Sequence, residues 1–157
     1  MENIPSIFWL IPLASVVALV MAWTFFSRMM REGEGTPRMC EIAGYVRRGA
    51  MAYLKQQYKV VLIVFVVLAV IFAIMAYGFH VQNPWVPFAF LTGGFFSGLA
   101  GFFSMKTATY ASGRTANAAR QGLDKGLKIA FRSGAVMGLV VVGLGLLDIA
   151  VWFLILN

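Results

Sequence analysis

Asp148 is the residue whose type and position could most readily do chemistry. It is the only acidic residue within the apolar stretch 133–156. A charged side chain near the centre of a bilayer costs about 2.5–3.5 kcal/mol on insertion scales, so such a residue usually has a functional or a paired role. Three interpretations stay open: Asp148 is protonated, it reaches water on the outer side, or its partner lies outside this chain.

The other reactive side chains are isolated in the sequence. His80 is the only histidine and Cys40 the only cysteine. A protein zinc site needs several such ligands, commonly at short defined spacings. The sequence also lacks a phosphate-binding loop and the H-E-x-x-H and G-x-S-x-G motifs. We therefore predict no catalytic, cofactor-binding or metal-binding residue in this chain.

Glycines recur at spacings that bring helices close together. Two sets share a helical face each, and they are Gly94, Gly98 and Gly101, and Gly134, Gly138 and Gly145. Small residues at such intervals let two helix backbones approach each other within a membrane. We predict that both faces are helix-packing faces.

Membrane-spanning helices must position these residues. The chain has 157 residues, of which 61% are hydrophobic and only 12% charged. A soluble domain of this size could not bury so much apolar surface. Four stretches approach the roughly 20 apolar residues that cross a bilayer, namely 5–27, 60–79, 85–105 and 133–156. Because backbone groups within lipid must be paired internally, we predict an all-α integral membrane protein with four transmembrane helices.

The basic residues predict the orientation of these helices. All 13 Lys and Arg residues fall in the loops 28–59 and 106–132, which gives the chain its net charge of +7. The positive-inside rule places both loops in the cytoplasm, so both termini lie outside (N-out/C-out). Such loops attract anionic lipid headgroups. Nucleic-acid binding is disfavoured. A protein that binds nucleic acid usually gathers its basic residues on one folded domain, whereas here they are divided between two loops.

Both basic loops are predicted to be helical extensions of the spans. Thr36 followed by Pro37 is typical of a helix start, and apolar residues then recur every three or four positions. This helix either continues unbroken into the second span or lies on the membrane surface before turning inward. A turn is expected near Gly122 in the second loop, and a flexible turn at residues 31–35.

Several strings in the sequence resemble one family, the membrane-integral inorganic pyrophosphatases. EIAGYVRRGAMAYLKQQY (41–58) is similar to the segment that enters the family's second helix. MKTAT (105–109), RTANAAR (114–120), AFRSGAVMGL (130–139) and VGLGLL (142–147) are similar to its third and fourth helices. The resemblance covers most of the chain, and its order agrees with the four spans.

The resemblance implies an ion pump. The family hydrolyses pyrophosphate on the cytoplasmic side with Mg²⁺ and moves protons or sodium ions outward. Its members are homodimers of 16-helix subunits, of which this chain would be the first quarter, in the outer ring of helices. The family's substrate site belongs to later helices, around a motif like D-V-G-A-D-L-V-G-K that is absent here. The resemblance thus implies a structural role for this chain and no activity in isolation.

Other consequences of the resemblance depend on residues beyond this stretch. The choice between H⁺ and Na⁺ and the K⁺ requirement belong to helices that this sequence does not contain. In a prokaryote the pump would lie in the cell membrane. Asp148 stands where the family would place a small or apolar residue, so the resemblance gives it no role.

Two other functions stay open. A complete four-helix transporter would use Asp148 to couple protons, although small multidrug carriers have their acid in the first span. A non-enzymatic membrane scaffold would bind anionic lipid or a partner protein through its basic loops. Because the sequence ends at Asn157, directly after the fourth span, we expect an N-terminal fragment of the pump.

Overall fold

Four long helices make up most of the part of the protein that the structure describes. The computed structural model describes residues 6–79 and 81–156, so Pro5, His80 and Asn157 lie outside the described residues. A 3₁₀ turn, Ser6–Trp9, leads into four helices, which are α1 (Leu10–Met30), α2 (Pro37–Ala73), α3 (Val86–Gln121) and α4 (Leu123–Leu156). All four are long and apolar enough to cross a membrane, and no strand occurs in the described ranges. The predicted all-α fold with four membrane-spanning helices is confirmed, while the membrane boundaries within each helix stay predictions.

The second helix is continuous from the basic loop into the apolar span. Thr36 caps its start by accepting a hydrogen bond from the Met39 backbone nitrogen at 3.4 Å, and Pro37 occupies the first turn. With the π-helical turn at its end, this helix covers Pro37–Gly78, 42 residues. Its length is about 63 Å at 1.5 Å per residue, twice a hydrocarbon core of about 30 Å. Of the two arrangements that the sequence left open, the structure has the unbroken helix.

The helices pack in the order α1, α4, α3, α2. The fourth helix contacts both the first and the third, and the second packs against the third. Small side chains fill the contacts, and one buried cluster consists of Ala22, Ala100, Val136 and Val140. Small residues are what close helix packing in a membrane requires. Large apolar side chains such as Ile63 and Phe95 are exposed, so this arrangement presents its apolar surface to lipid or to further helices.

Among the described residues, three short hydrogen bonds that involve only oxygen and nitrogen atoms join neighbouring helices. They run from Ser15 Oγ to the Gly143 carbonyl oxygen at 2.6 Å, from the Tyr58 hydroxyl to the Gly98 carbonyl oxygen at 2.5 Å, and from Trp152 Nε1 to Thr92 Oγ1 at 2.6 Å. Each satisfies a polar group that would otherwise be unpaired in an apolar environment. Together they connect α1 to α4, α2 to α3, and α3 to α4.

The turn between α3 and α4 lies where the sequence predicts it. Gly122 is the single residue between the two helices, and its backbone nitrogen donates to the Ala118 carbonyl oxygen at 3.1 Å. The helices remain close beyond the turn, because a Cβ built on Gly126 would lie 3.0 Å from the Ala119 Cβ. Glycine at 126 therefore permits this close approach.

Candidate functional site

The loop between α1 and α2 is held by a partly buried ion-pair cluster, which we call the Glu34 cluster: Glu34, Arg47, Tyr110 and Arg114. The Glu34 carboxylate pairs with the guanidinium of Arg47 in α2 and with Arg114 Nη1 in α3, the latter at 2.7 Å. Only 16% of the Glu34 side chain and 8% of the Arg114 side chain are exposed. The cluster thus connects one loop to two helices. Because its charges are mostly removed from solvent, salt screens their attraction only weakly.

Further hydrogen bonds connect the loop after α1 to α3. Arg114 donates through Nε to the Glu32 carbonyl oxygen at 3.0 Å and through Nη1 to the Tyr110 carbonyl oxygen at 2.8 Å. Asn117 donates to the Gly33 carbonyl oxygen at 3.1 Å. Residues 31–35 therefore form an anchored loop rather than the flexible turn that their composition predicts. The difference arises because the anchoring residues lie about 80 positions further along the chain.

The Arg47 guanidinium also lies over the ring of Tyr110, 4.3 Å from the ring centroid. A cation above an aromatic face gains roughly 0.5–2 kcal/mol, more when it is removed from water. Because Tyr110 belongs to α3, this contact joins α2 to α3 alongside the shared carboxylate. The Glu34 cluster therefore has a structural role, because it fixes the loop after α1, α2 and α3 relative to one another.

The described residues do not fit a magnesium site. Mg²⁺ is bound through carboxylate and phosphate oxygens in an octahedral arrangement. Among residues 6–79 and 81–156 no group of three or more His, Cys, Asp or Glu could hold a metal ion. Both carboxylates of the loop, Glu32 and Glu34, are paired with arginines. No catalytic step is therefore assigned to these side chains.

Asp148 borders an open cavity of about 400 Å³ between α3 and α4. Its side chain lies over Gly93, since a Cβ built there would be 3.4 Å from Asp148 Oδ2. Gly145 and Ser104 also line the cavity, and Ser104 Oγ is buried without a hydrogen-bond partner. Within the described ranges Asp148 makes no ion pair or side-chain hydrogen bond. The cavity therefore combines unpaired polar atoms with glycine-lined walls.

The predicted glycine faces have different surroundings. A Cβ on Gly94 would lie 2.1 Å from the Phe65 ring of α2, and one on Gly101 would lie 3.0 Å from the Tyr58 hydroxyl oxygen. A Cβ would meet no atom within 4 Å at the other four positions, which are Gly98, Gly134, Gly138 and Gly145. Gly98 also meets α2, because its carbonyl oxygen accepts a hydrogen bond from the Tyr58 hydroxyl. The α3 face thus meets α2 at all three positions, and a packing role for the three α4 glycines stays a prediction.

Sequence reasoning missed the closest glycine contact between α1 and α4. A Cβ on Gly143 would lie 2.9 Å from Leu19 Cγ and 3.4 Å from the Ser15 carbonyl oxygen. Gly143 lies off the face shared by the other α4 glycines, and its partners are more than 120 residues away in sequence. The Arg114 ion pair was also missed, although an arginine flanked by Ala111 and Ala118 on one helical face was a signal that could have been used.

The length and apolar composition of the four helices in the described ranges indicate an integral membrane protein. Comparison with known proteins identifies its family. Residues 16–157 match the family described as inorganic H⁺ pyrophosphatase, and the chain belongs to this family, which confirms the resemblance.

Individual relatives are named as pyrophosphate-energized pumps. The chain is 71% identical over 151 residues to a putative K⁺-stimulated pyrophosphate-energized sodium pump of Bacteroides thetaiotaomicron. This alignment covers 96% of the chain and 21% of that protein. It is 44% identical over 128 residues to the Clostridium tetani protein of the same name (81% and 18%). It is 37% identical over 148 residues to K⁺-insensitive pyrophosphate-energized proton pump 2 of Moorella thermoacetica (94% and 21%). The chain thus spans about a fifth of the length of these relatives.

Proposed function

We propose that this chain is the N-terminal, outer-ring part of a pyrophosphate-energised ion pump that hydrolyses pyrophosphate with Mg²⁺. The observation that carries the proposal is the coverage of the relatives. The chain aligns with the Bacteroides pump over 96% of its own length but only 21% of that protein. Hydrolysis and ion transfer then depend on helices outside this stretch, and the four helices described here have a structural role.

We propose Na⁺ as the pumped ion and K⁺ as a stimulating ion. The two relatives above that are named K⁺-stimulated sodium pumps share 71% and 44% identity with the chain. The relative named a K⁺-insensitive proton pump shares 37%. The full pump would be a homodimer, as the family resemblance implies.

The proposed orientation has both basic loops in the cytoplasm and both ends of the chain outside. It is supported by the arrangement of the helices. Glu32 contacts Arg114 and Arg132, so the two basic segments meet at one end of the molecule. At the other end Phe8 stacks on Phe153, with ring centroids 4.5 Å apart. Because every Lys and Arg lies in those two segments, the positive-inside rule assigns their end to the cytoplasmic side of the cell membrane.

Asp148 and the open glycine positions are proposed to face the remaining helices of the pump. The cavity at Asp148 has glycine-lined walls and unpaired polar atoms, which suits a helix that brings a hydrogen-bond donor. The free space at Gly134, Gly138 and Gly145 would admit a closely packed helix in the same way. Lipid alone would leave the Asp148 carboxylate unpaired.

A chimaeric pump tests the proposal. The segment of the Bacteroides pump that aligns with this chain is replaced by residues 1–157, and the purified protein is assayed with Mg²⁺ and K⁺. We expect pyrophosphate hydrolysis and pyrophosphate-driven Na⁺ uptake into vesicles at rates close to those of the parent pump. Because the helices that select the ion come from the Bacteroides pump, the chimaera tests whether residues 1–157 can serve as the first helices of such a pump.

Two controls accompany the chimaera. The parent pump with the aligned segment deleted should be inactive, and the 157-residue chain alone should hydrolyse no pyrophosphate. A chimaera that is monodisperse and helical yet inactive would contradict the proposal. Hydrolysis by the isolated chain would contradict the structural role assigned to it.

A further inference from the structure

A second pocket, separate from the Asp148 cavity, lies at the basic end of the molecule. It has a volume of about 220 Å³ and is enclosed by the loop after α1, the end of α3 and the start of α4. Its wall on α4 carries Lys125, Lys128 and Arg132, and Glu32 lies opposite them. We call these four residues and the space they enclose the Lys128 pocket.

The three cations occupy one face of α4, because they are spaced by three and four residues. Like charges at these spacings destabilise a helix unless a counter-charge is present. They also lie in the first three turns of α4, which begins at Leu123. The helix dipole adds partial positive charge at the first of these turns. The three positive charges therefore repel one another when the pocket is empty, and a bound anion would relieve this repulsion.

Neighbouring acids leave the pocket with an excess of positive charge. Glu32 lies 3.7 Å from Arg132 and is half exposed, while Glu34 is engaged by Arg47 and Arg114. Lys125 donates to the neutral side chain of Gln121 at 3.3 Å.

The nearest remaining carboxylate does not neutralise the pocket. Asp124 lies four positions before Lys128, yet neither residue makes an ion pair in the described part of the chain. Arg114 also lines the pocket, but it is paired with Glu34. The three cations of α4 thus face one carboxylate, which leaves two of their positive charges uncompensated.

We infer that the Lys128 pocket binds a phosphate group at the membrane surface. A phosphate offers several oxygens to converging cations, and arginine and lysine are its usual protein ligands. Arg132 directly precedes the predicted fourth span, so the pocket lies at the depth of lipid headgroups. Both a lipid phosphodiester and free inorganic phosphate carry the required group, and the experiment separates these two sources.

The 157-residue chain is reconstituted in nanodiscs for this test. In the first arm, discs of phosphatidylcholine with increasing phosphatidylglycerol are used, and native mass spectrometry counts the phosphatidylglycerol retained after release into detergent. In the second arm, pure phosphatidylcholine discs are titrated with inorganic phosphate by calorimetry. Retention in the first arm identifies a lipid headgroup site, and binding in the second identifies a site for free phosphate.

The decisive variant is K125Q/K128Q, and its control is K55Q/K59Q. Each variant removes two lysines from the basic end of the molecule, and the two lysines of a pair are three or four positions apart in the sequence. Only the first pair lines the pocket. We expect K125Q/K128Q to weaken binding about tenfold and K55Q/K59Q to leave it within twofold. K125R/K128R, which retains both charges, should bind like the parent chain and guards against a folding defect, checked by circular dichroism and gel filtration.

Two results would overturn the inference. Equal weakening by both glutamine variants would mean a diffuse attraction between basic loops and anions. The absence of binding in both arms by a folded parent chain would mean that the pocket has no phosphate ligand.

Discussion

A carboxylate oxygen of Glu34 lies 2.7 Å from the Arg114 guanidinium, and this pair connects the loop after α1 to α3. Since Glu34 also pairs with Arg47 of α2, one carboxylate holds together segments that are distant in sequence. The α1–α2 connection is thereby fixed, even though α1 and α2 pack mainly against other helices.

Replacing Glu34 by glutamine should destabilise the protein substantially. The substitution leaves two arginines near one neutral amide, and breaking a buried ion pair costs about 3 kcal/mol or more. The measurement is unfolding in detergent followed by circular dichroism. Glu41→Gln is the matched control, because the Arg38–Glu41 pair is exposed and should contribute less than about 1 kcal/mol. Equal stability of the two variants would refute the structural role of the Glu34 cluster.

Gly143→Val should weaken the contact between α1 and α4. Its Cβ would approach Leu19 Cγ to 2.9 Å, and overpacking of this kind costs about 1–3 kcal/mol. Gly138→Val introduces the same side chain into the same helix where no atom lies within 4 Å. Unfolding of the isolated chain should therefore distinguish the two, with only the Gly143 variant less stable. The opposite ranking would show that α1 and α4 pack elsewhere.

Tyr58→Phe should remove one hydrogen bond between α2 and α3. The hydroxyl donates to the Gly98 carbonyl oxygen at 2.5 Å, and hydrogen bonds between membrane helices contribute about 0.6–1.7 kcal/mol. Tyr53→Phe serves as the control, since Tyr53 is 61% exposed and its hydroxyl has no hydrogen-bond partner among the described residues. If both variants unfold at the same denaturant concentration, the Tyr58 bond contributes nothing.

Cys40 reports the orientation of the chain. Its thiol is free and exposed at the start of α2, so a membrane-impermeant maleimide should label it in inverted vesicles and not in intact cells. The double variant C40S/V81C places the thiol at the opposite end, where Val81 is 71% exposed, and should be labelled in intact cells. The reverse pattern would place the basic loops outside.

Asp148→Ala should have opposite effects in the two contexts. In the isolated chain the carboxylate has no partner in the described ranges, so its removal should maintain or raise stability. In the chimaeric pump it should lower stability by about 1–2 kcal/mol, because a donor from another helix loses its acceptor. Unfolding of both proteins by the same method gives the comparison. Equal effects in the two would mean that no later helix contacts Asp148.

The sequence by itself determined the four helices, the segregation of charge to one end, the cap at Thr36, the turn at Gly122 and the family. These features depend on local composition, periodicity and long motif strings, which can be read without knowing which helices are neighbours. The sequence also identified Asp148 as the one acidic residue within the apolar stretch 133–156.

Only the tertiary structure decided which residues meet. Helix order placed α4 between α1 and α3, which brought Ser15 to Gly143 and Arg114 to Glu34, and it made a fixed loop of residues with turn composition. It also distinguished glycines of one predicted face, since a Cβ on Gly94 would meet the Phe65 ring, whereas Gly98 meets Tyr58 through its carbonyl oxygen. The physical reason is that spacing along a helix defines a face, whereas the partner of that face depends on contacts between residues far apart in the chain.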